Sequence, residues 1–118
     1  MRIHREQMKA MAEAMRCRFE TEAMAMLRRM YPESTARHPD ETLQLFVRHG
    51  IQRARLNGLD AVTDIERWLR LMMRLGPHFD SDERLVDIRG VLGRVEIYGP
   101  LRLEEVETMA SRIAPEPK

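Results

Sequence analysis

The chain has 118 residues, 20 basic and 19 acidic side chains for a net charge of +1, and a composition that is 43% hydrophobic but only 5% aromatic. That length suits one domain able to bury a core without a metal or cross-link. The near-neutral balance removes the electrostatic case for non-specific nucleic-acid or membrane-surface binding, and the lone Cys17 rules out an internal disulfide. Ala, Leu, Met, Arg and Glu dominate over β-branched and aromatic residues, which predicts an all-α protein. The expected architecture is a four- or five-helix bundle with a long N-terminal helix. It forms a single helical domain over residues 1–113, followed by a flexible tail at 114–118.

The opening Met1-Arg2-Ile3-His4-Arg5-Glu6 is charged and lacks the apolar core of a signal peptide. No apolar run approaches the ~18 residues of a membrane span. The expected location is the cytoplasm, with no membrane partner. Residues 3–30 contain no Gly or Pro, and Met8, Ala12, Met15, Phe19, Ala23, Met26 and Met30 recur at helical spacing. Met11, Cys17 and Met24 form a second apolar ridge, in which Cys17 reads as a small apolar packer. A helix of this length would run roughly 40 Å at 1.5 Å per residue, longer than a domain of this size needs, so part of it is expected to meet a partner.

Tyr31-Pro32 stops that helix, because proline lacks the backbone donor and restricts its predecessor. Residues 33–38 read as a polar loop. A second helix is expected from Pro39, with Asp40 and Glu41 at the positive end of its dipole. Its apolar face runs through Leu43, Phe46, Val47, Ile51 and Ala54. Gly50 falls mid-helix, where it costs roughly 1 kcal/mol against Ala, so a neighbouring helix should approach closely there. Asn57-Gly58 ends this helix in a left-handed cap. Thr63-Asp64-Ile65-Glu66 fits a capping box for a third helix carrying Ile65, Trp68, Leu69, Met72, Met73 and Leu75, with Gly76-Pro77 as its stop. A fourth helix is expected over residues 83–95 with Asp82 as cap, and a fifth over 101–113. Residues 95–98 alternate weakly and are the one place for a strand. The predicted core draws on Phe19, Leu43, Phe46, Val47, Ile51, Trp68, Leu69, Met72, Phe79, Leu85, Ile88 and Leu92, with Phe79 tucked under the bundle.

The four histidines, His4, His38, His49 and His78, form no i, i+4 pair, and Cys17 has no cysteine companion, so no metal site or metal cofactor is expected. Asp80-Ser81-Asp82-Glu83 lacks the ligand number and internal glycine of a calcium loop and reads as a helix start. There is no Gly-rich phosphate loop and no G-x-S-x-G elbow, and Ser34, Ser81 and Ser111 have no histidine placed beside them. No catalytic residue is therefore assigned and no enzyme is expected. The alternative to a protein-binding role is a small helix-turn-helix regulator. Its second helix would carry Arg67, Arg70 and Arg74, but it brings no Asn or Gln to read bases, so nucleic acid is an unfavoured partner.

The ten methionines point towards protein binding, since flexible, polarisable side chains adapt to varied surfaces. The predicted partner-binding residues lie on the first helix: Met11, Met15, Phe19 and Met26. The same stripe would also suit a homodimer.

The run Arg48-His49-Gly50-Ile51-x-Arg53-Ala54, then Gly58-Leu59, Asp64-Ile65-x-x-Trp68-Leu69-x-Leu71-Met72 and Leu75-Gly76-x-x-Phe79-Asp80, is distinctive. With the opening Arg2-Ile3-His4-Arg5-Glu6-Gln7-Met8, it resembles small helical accessory proteins of bacterial type VI secretion clusters, encoded beside spike, effector and adaptor-chaperone genes. The likeness covers about residues 1–92. It implies a non-catalytic adaptor or co-chaperone that helps load an effector onto the spike, with an effector, spike or adaptor chaperone as partner. Residues 82–89 depart from that pattern by being charged rather than aromatic and proline-containing.

Overall fold

The computed structural model describes residues 5–114, with side chains described from residue 13 onward. Six α-helices follow in order: α1 (Arg5–Met30), α2 (Pro32–Ala36), α3 (Asp40–Leu56), α4 (Val62–Leu75), α5 (Val86–Leu92) and α6 (Gly99–Ile113), with a 3₁₀ turn at Phe79–Ser81 between α4 and α5. No strand occurs among the described residues, and 95–98 is irregular, with a turn at 95–96 and a bend at 97. The all-α class and the long first helix hold, and α2 takes the helix number past the expected four or five. The chain divides into two compact units, residues 1–47 and 48–118.

In the first unit, α1 stops at Tyr31, where the backbone leaves helical geometry (φ −129°) ahead of Pro32. The expected polar loop at 33–38 is instead mostly α2. Pro32 occupies the first turn, where its missing N–H is not needed, Glu33 suits the positive helix end, and the buried Thr35 donates its hydroxyl to the Tyr31 carbonyl at 2.8 Å. Arg28 then fastens the chain on either side of this helix. Its guanidinium donates to the carbonyls of Thr35 (2.9 Å) and His38 (3.0 Å) and to Asp40 Oδ1 (2.7 Å) at the start of α3. Ala23, Met26, Leu27, Tyr31, Leu43 and Val47 are buried in this unit. Glu20 is buried too, and Gln44 Nε2 donates to its carboxylate at 3.2 Å.

The second unit is organised around α4, whose Ile65, Trp68, Leu69, Leu71 and Met72 are all buried. α4 packs on α6, and α6 on α5. Gly50 is the close-approach point foreseen from sequence: a Cβ there would run into the Leu69 side chain and sit 2.7 Å from Met72 Sδ. Gly76, at φ 108°, turns the chain out of α4. Phe79 then folds back, fully buried, against Trp68 with ring centroids 4.7 Å apart.

Three expectations are corrected here. α4 begins at Val62 behind Ala61, and Thr63 makes no capping bond because it already lies inside the helix. The fourth helix spans only Val86–Leu92 rather than 83–95. Asp82 Oδ1 accepts the Arg84 backbone N–H at 2.9 Å in a local turn, and the chain leaves the helix at Gly93. The last helix starts two residues early, at Gly99, with Pro100 in its first turn.

Arg102 joins the pieces. It is only 6% exposed, and its guanidinium donates to the carbonyls of Ile97 (2.9 Å), Leu92 (2.7 Å) and Asn57 (3.0 Å). Leu92 ends α5 and Asn57 follows the last residue of α3, so one cation serves carbonyls that helix ends leave without partners.

Candidate protein-binding surface

α1 is one continuous helix of 26 residues with two different surroundings. From Phe19 onward it carries buried positions at Glu20, Ala23, Met26 and Leu27. Ahead of Phe19, residues 13–18 are all exposed. Six consecutive residues exceed one full turn of about 3.6 residues, so this stretch is exposed on every face of the helix. Helices that pack on nothing are marginal in water, and most helical stability in proteins comes from a covered apolar face. Yet this stretch carries Ala14, Met15 and Cys17.

The four predicted binding residues are separated by the structure. Met15 is 70% exposed and stands at the centre of the uncovered stretch. Phe19, one turn further, is half-buried at the border. Met26 is 8% exposed and belongs to the interior, because it shares a stripe with the buried Ala23 and Leu27. The Met11 side chain lies outside the described residues. Cys17, expected as a packer, is exposed.

The other constellations are taken up internally. Arg67 donates from Nε to both carboxylate oxygens of Glu107 (3.0 and 3.1 Å) and from Nη1 to Asp64 (3.0 Å). The Glu107 hydrogen bonds raise the Arg67 pKa above its ordinary value, against the opposing effect of burial. Arg74 Nε donates to the carbonyl of Ala114 at 2.8 Å. Arg53 Nε donates to Asp80 Oδ2 at 2.6 Å, and that carboxylate is 3% exposed. The rings of His49 and His78 meet edge to face with centroids 4.9 Å apart. His78 is exposed, and Asp82, which lines the hollow beside it, is bonded to Arg84. Among the described residues no group of three or more His, Cys, Asp or Glu is placed to hold a metal ion, and no helix is long and apolar enough to cross a membrane.

Sequence reasoning missed several exposed apolar side chains, among them Leu45, Leu56, Val95 and Tyr98. Tyr98-Gly99-Pro100 reads only as a chain break, and nothing in its spacing signals a surface aromatic. No protein-family model, curated protein or solved structure matches this chain.

Proposed function

We propose that this chain is a non-catalytic adaptor that binds another protein by laying the uncovered stretch of α1 into an apolar groove. The observation that carries this reading is the exposure of residues 13–18 on every side of a helix, with Met15 at its centre. An amphipathic helix in a groove is a recurring recognition mode in which a few apolar side chains one turn apart act as anchors, and methionine adapts to the walls it meets. Met15 and Phe19 are the anchors here. The bonds of Arg67 and Arg74 to Glu107, Asp64 and Ala114 favour this reading over a helix-turn-helix regulator, because a recognition helix needs such arginines free for phosphates and base edges.

In its specific form, the proposal follows the resemblance to type VI secretion accessory proteins: the groove belongs to an effector, a spike protein or an adaptor chaperone. The test is capture with tagged chain from its native cells, with Met15→Asp alone as the control. Met26→Asp is unsuitable, because a charge at that buried position would damage the fold itself. A protein that co-purifies with the parent chain and is lost with a folded Met15→Asp variant supports the reading. Retention of every captured protein by Met15→Asp ends it.

A further inference from the structure

The turn that ends α3 carries a chemically reactive pair, Asn57-Gly58. Asparagine followed by glycine is prone to deamidation, because glycine puts no Cβ in the way when its backbone nitrogen attacks the asparagine side chain. In that reaction Gly58 N gives up its proton and bonds to Asn57 Cγ, the Cγ–Nδ2 bond breaks, and Nδ2 leaves as ammonia carrying that proton. Water then opens the cyclic imide to aspartate or isoaspartate. In isoaspartate the main chain runs through the side-chain carbons and is longer by one atom.

The groups that would react are engaged in the folded chain. Gly58 N–H donates to the Arg55 carbonyl and Leu59 N–H to the Ala54 carbonyl, both at 3.0 Å. These are the paired bonds of a Schellman cap, with Gly58 at φ 82° and Leu59 buried. Asn57 Nδ2 donates to the Arg53 carbonyl at 2.8 Å, which draws the side chain back along α3 rather than forward over the Gly58 nitrogen. From α6, Arg102 Nη2 donates to the Asn57 carbonyl at 3.0 Å. α6 also starts directly against the turn: a Cβ on Gly99 would lie 2.9 Å from Gly58 O and 3.2 Å from Asn57 O. Asn57 is half-buried and Gly58 exposed, so water reaches the pair once these bonds open.

We infer that Asn57-Gly58 is a latent modification site, held unreactive by the α3 cap and by Arg102, and that deamidation there records local opening of the contact between α3 and α6. The step is one-way. Between the cap and Gly99 there is no room for the added main-chain atom of isoaspartate. Aspartate replaces the Nδ2 donor with an oxygen facing the Arg53 carbonyl and sets a negative charge at the negative end of the helix. Either product weakens the contact, so a chain that has reacted once opens more readily.

The test incubates the full chain at mildly alkaline pH, folded and in urea. The Asn57 peptide is followed by mass spectrometry, with isoaspartate separated from aspartate by chromatography. The folded chain is expected to react at least ~10-fold more slowly than the unfolded one, and the Gly58 amide to exchange its hydrogen more slowly by a matching factor. Arg102→Lys, verified as folded by circular dichroism, should speed the folded-state reaction about 3-fold or more and leave the rate in urea unchanged. Gly99→Ala, which pushes α6 off the turn, gives the same reading should Arg102→Lys not fold. Met72→Ala removes core contacts of α4 and should leave the folded-state rate where it was. Equal rates in the folded and unfolded chain, a freely exchanging Gly58 amide, or no acceleration by the folded variants at Arg102 and Gly99 overturns the inference. An acceleration by Met72→Ala as large as theirs also overturns it, because the reaction would then pass through global unfolding rather than through the cap.

Discussion

α4 and the first part of α1 are built from much the same residues and meet opposite fates. Both are rich in methionine and arginine. In α4, Met72 is buried beside Leu69 and faces Gly50, while Arg67 and Arg74 are bonded to groups of α6 and the residue after it. In α1, Met15, Arg16 and Arg18 stand open. Composition does not separate a buried helix from an exposed one here. The difference comes from what the rest of the chain brings to each. α4 receives a glycine that lets α3 approach and a phenylalanine folded back by Gly76, whereas residues 13–18 stand exposed.

The strongest way to break this comparison is to remove what α4 shelters. Trp68 and Phe79 are both fully buried and in ring contact. Trp68→Ala should cost about 3–5 kcal/mol through lost burial and the cavity left behind, read as a fall in the urea midpoint. That is enough to unfold a chain of ordinary marginal stability. Arg102 comes next. Arg102→Met keeps much of the stem but leaves the carbonyls of Asn57, Leu92 and Ile97 without their donor. We expect a loss of about 2–4 kcal/mol by the same measurement. Arg102→Lys should recover only part of it, because one ammonium cannot reproduce the planar fork that meets three carbonyls. Gly50→Val should follow at about 1–3 kcal/mol, although valine is the better helix former, because its side chain competes with Leu69 and Met72 for the same space.

Much of this contrast was legible in the sequence on the α4 side and little of it on the α1 side. The spacing of Ile65, Trp68, Leu69 and Met72, the mid-helix Gly50 and the stop at Gly76 all state their structural reasons locally. α2 was not legible, because its one buried side chain, Thr35, is polar and its proline reads as a stop as readily as a start. Arg102 looked like any surface arginine: its partners are backbone carbonyls 5, 10 and 45 residues away, which no sequence pattern marks. On α1 the stripe through Met15, Phe19 and Met26 is continuous in sequence. Only burial divides it into an exposed methionine, a border phenylalanine and an interior methionine.

A smaller effect follows from the turn beyond Phe79. Asp82 accepts bonds from the Arg84 side chain and backbone N–H, which hold its pKa below the ordinary carboxylate value. Whatever this pair contributes is fully present above about pH 4, the unfolded value, and is lost as the pH falls through the lowered folded value. A carboxyl NMR titration should place Asp82 below the ordinary aspartate value, and Arg84→Ala should return it to that value. An unshifted Asp82 would show that the turn is not held this way.

The smallest expected change in stability is the sharpest test of the comparison, because it sets one methionine against another. Met15→Ala should move the unfolding free energy by no more than about 0.5 kcal/mol, as for most exposed positions, while Met72→Ala should cost about 2–5 kcal/mol. The measurement is the difference between the two urea midpoints in otherwise identical chains. A Met15 cost approaching that of Met72 would mean that residues 13–18 are packed in solution, within one chain or between two. Light scattering of the same samples tells those apart, since packing between copies depends on concentration and packing within one chain does not. A negligible Met15 cost together with loss of the captured partner would place that side chain where α4 has none: at a surface that adds little to this fold and gains its energy only when another molecule covers it.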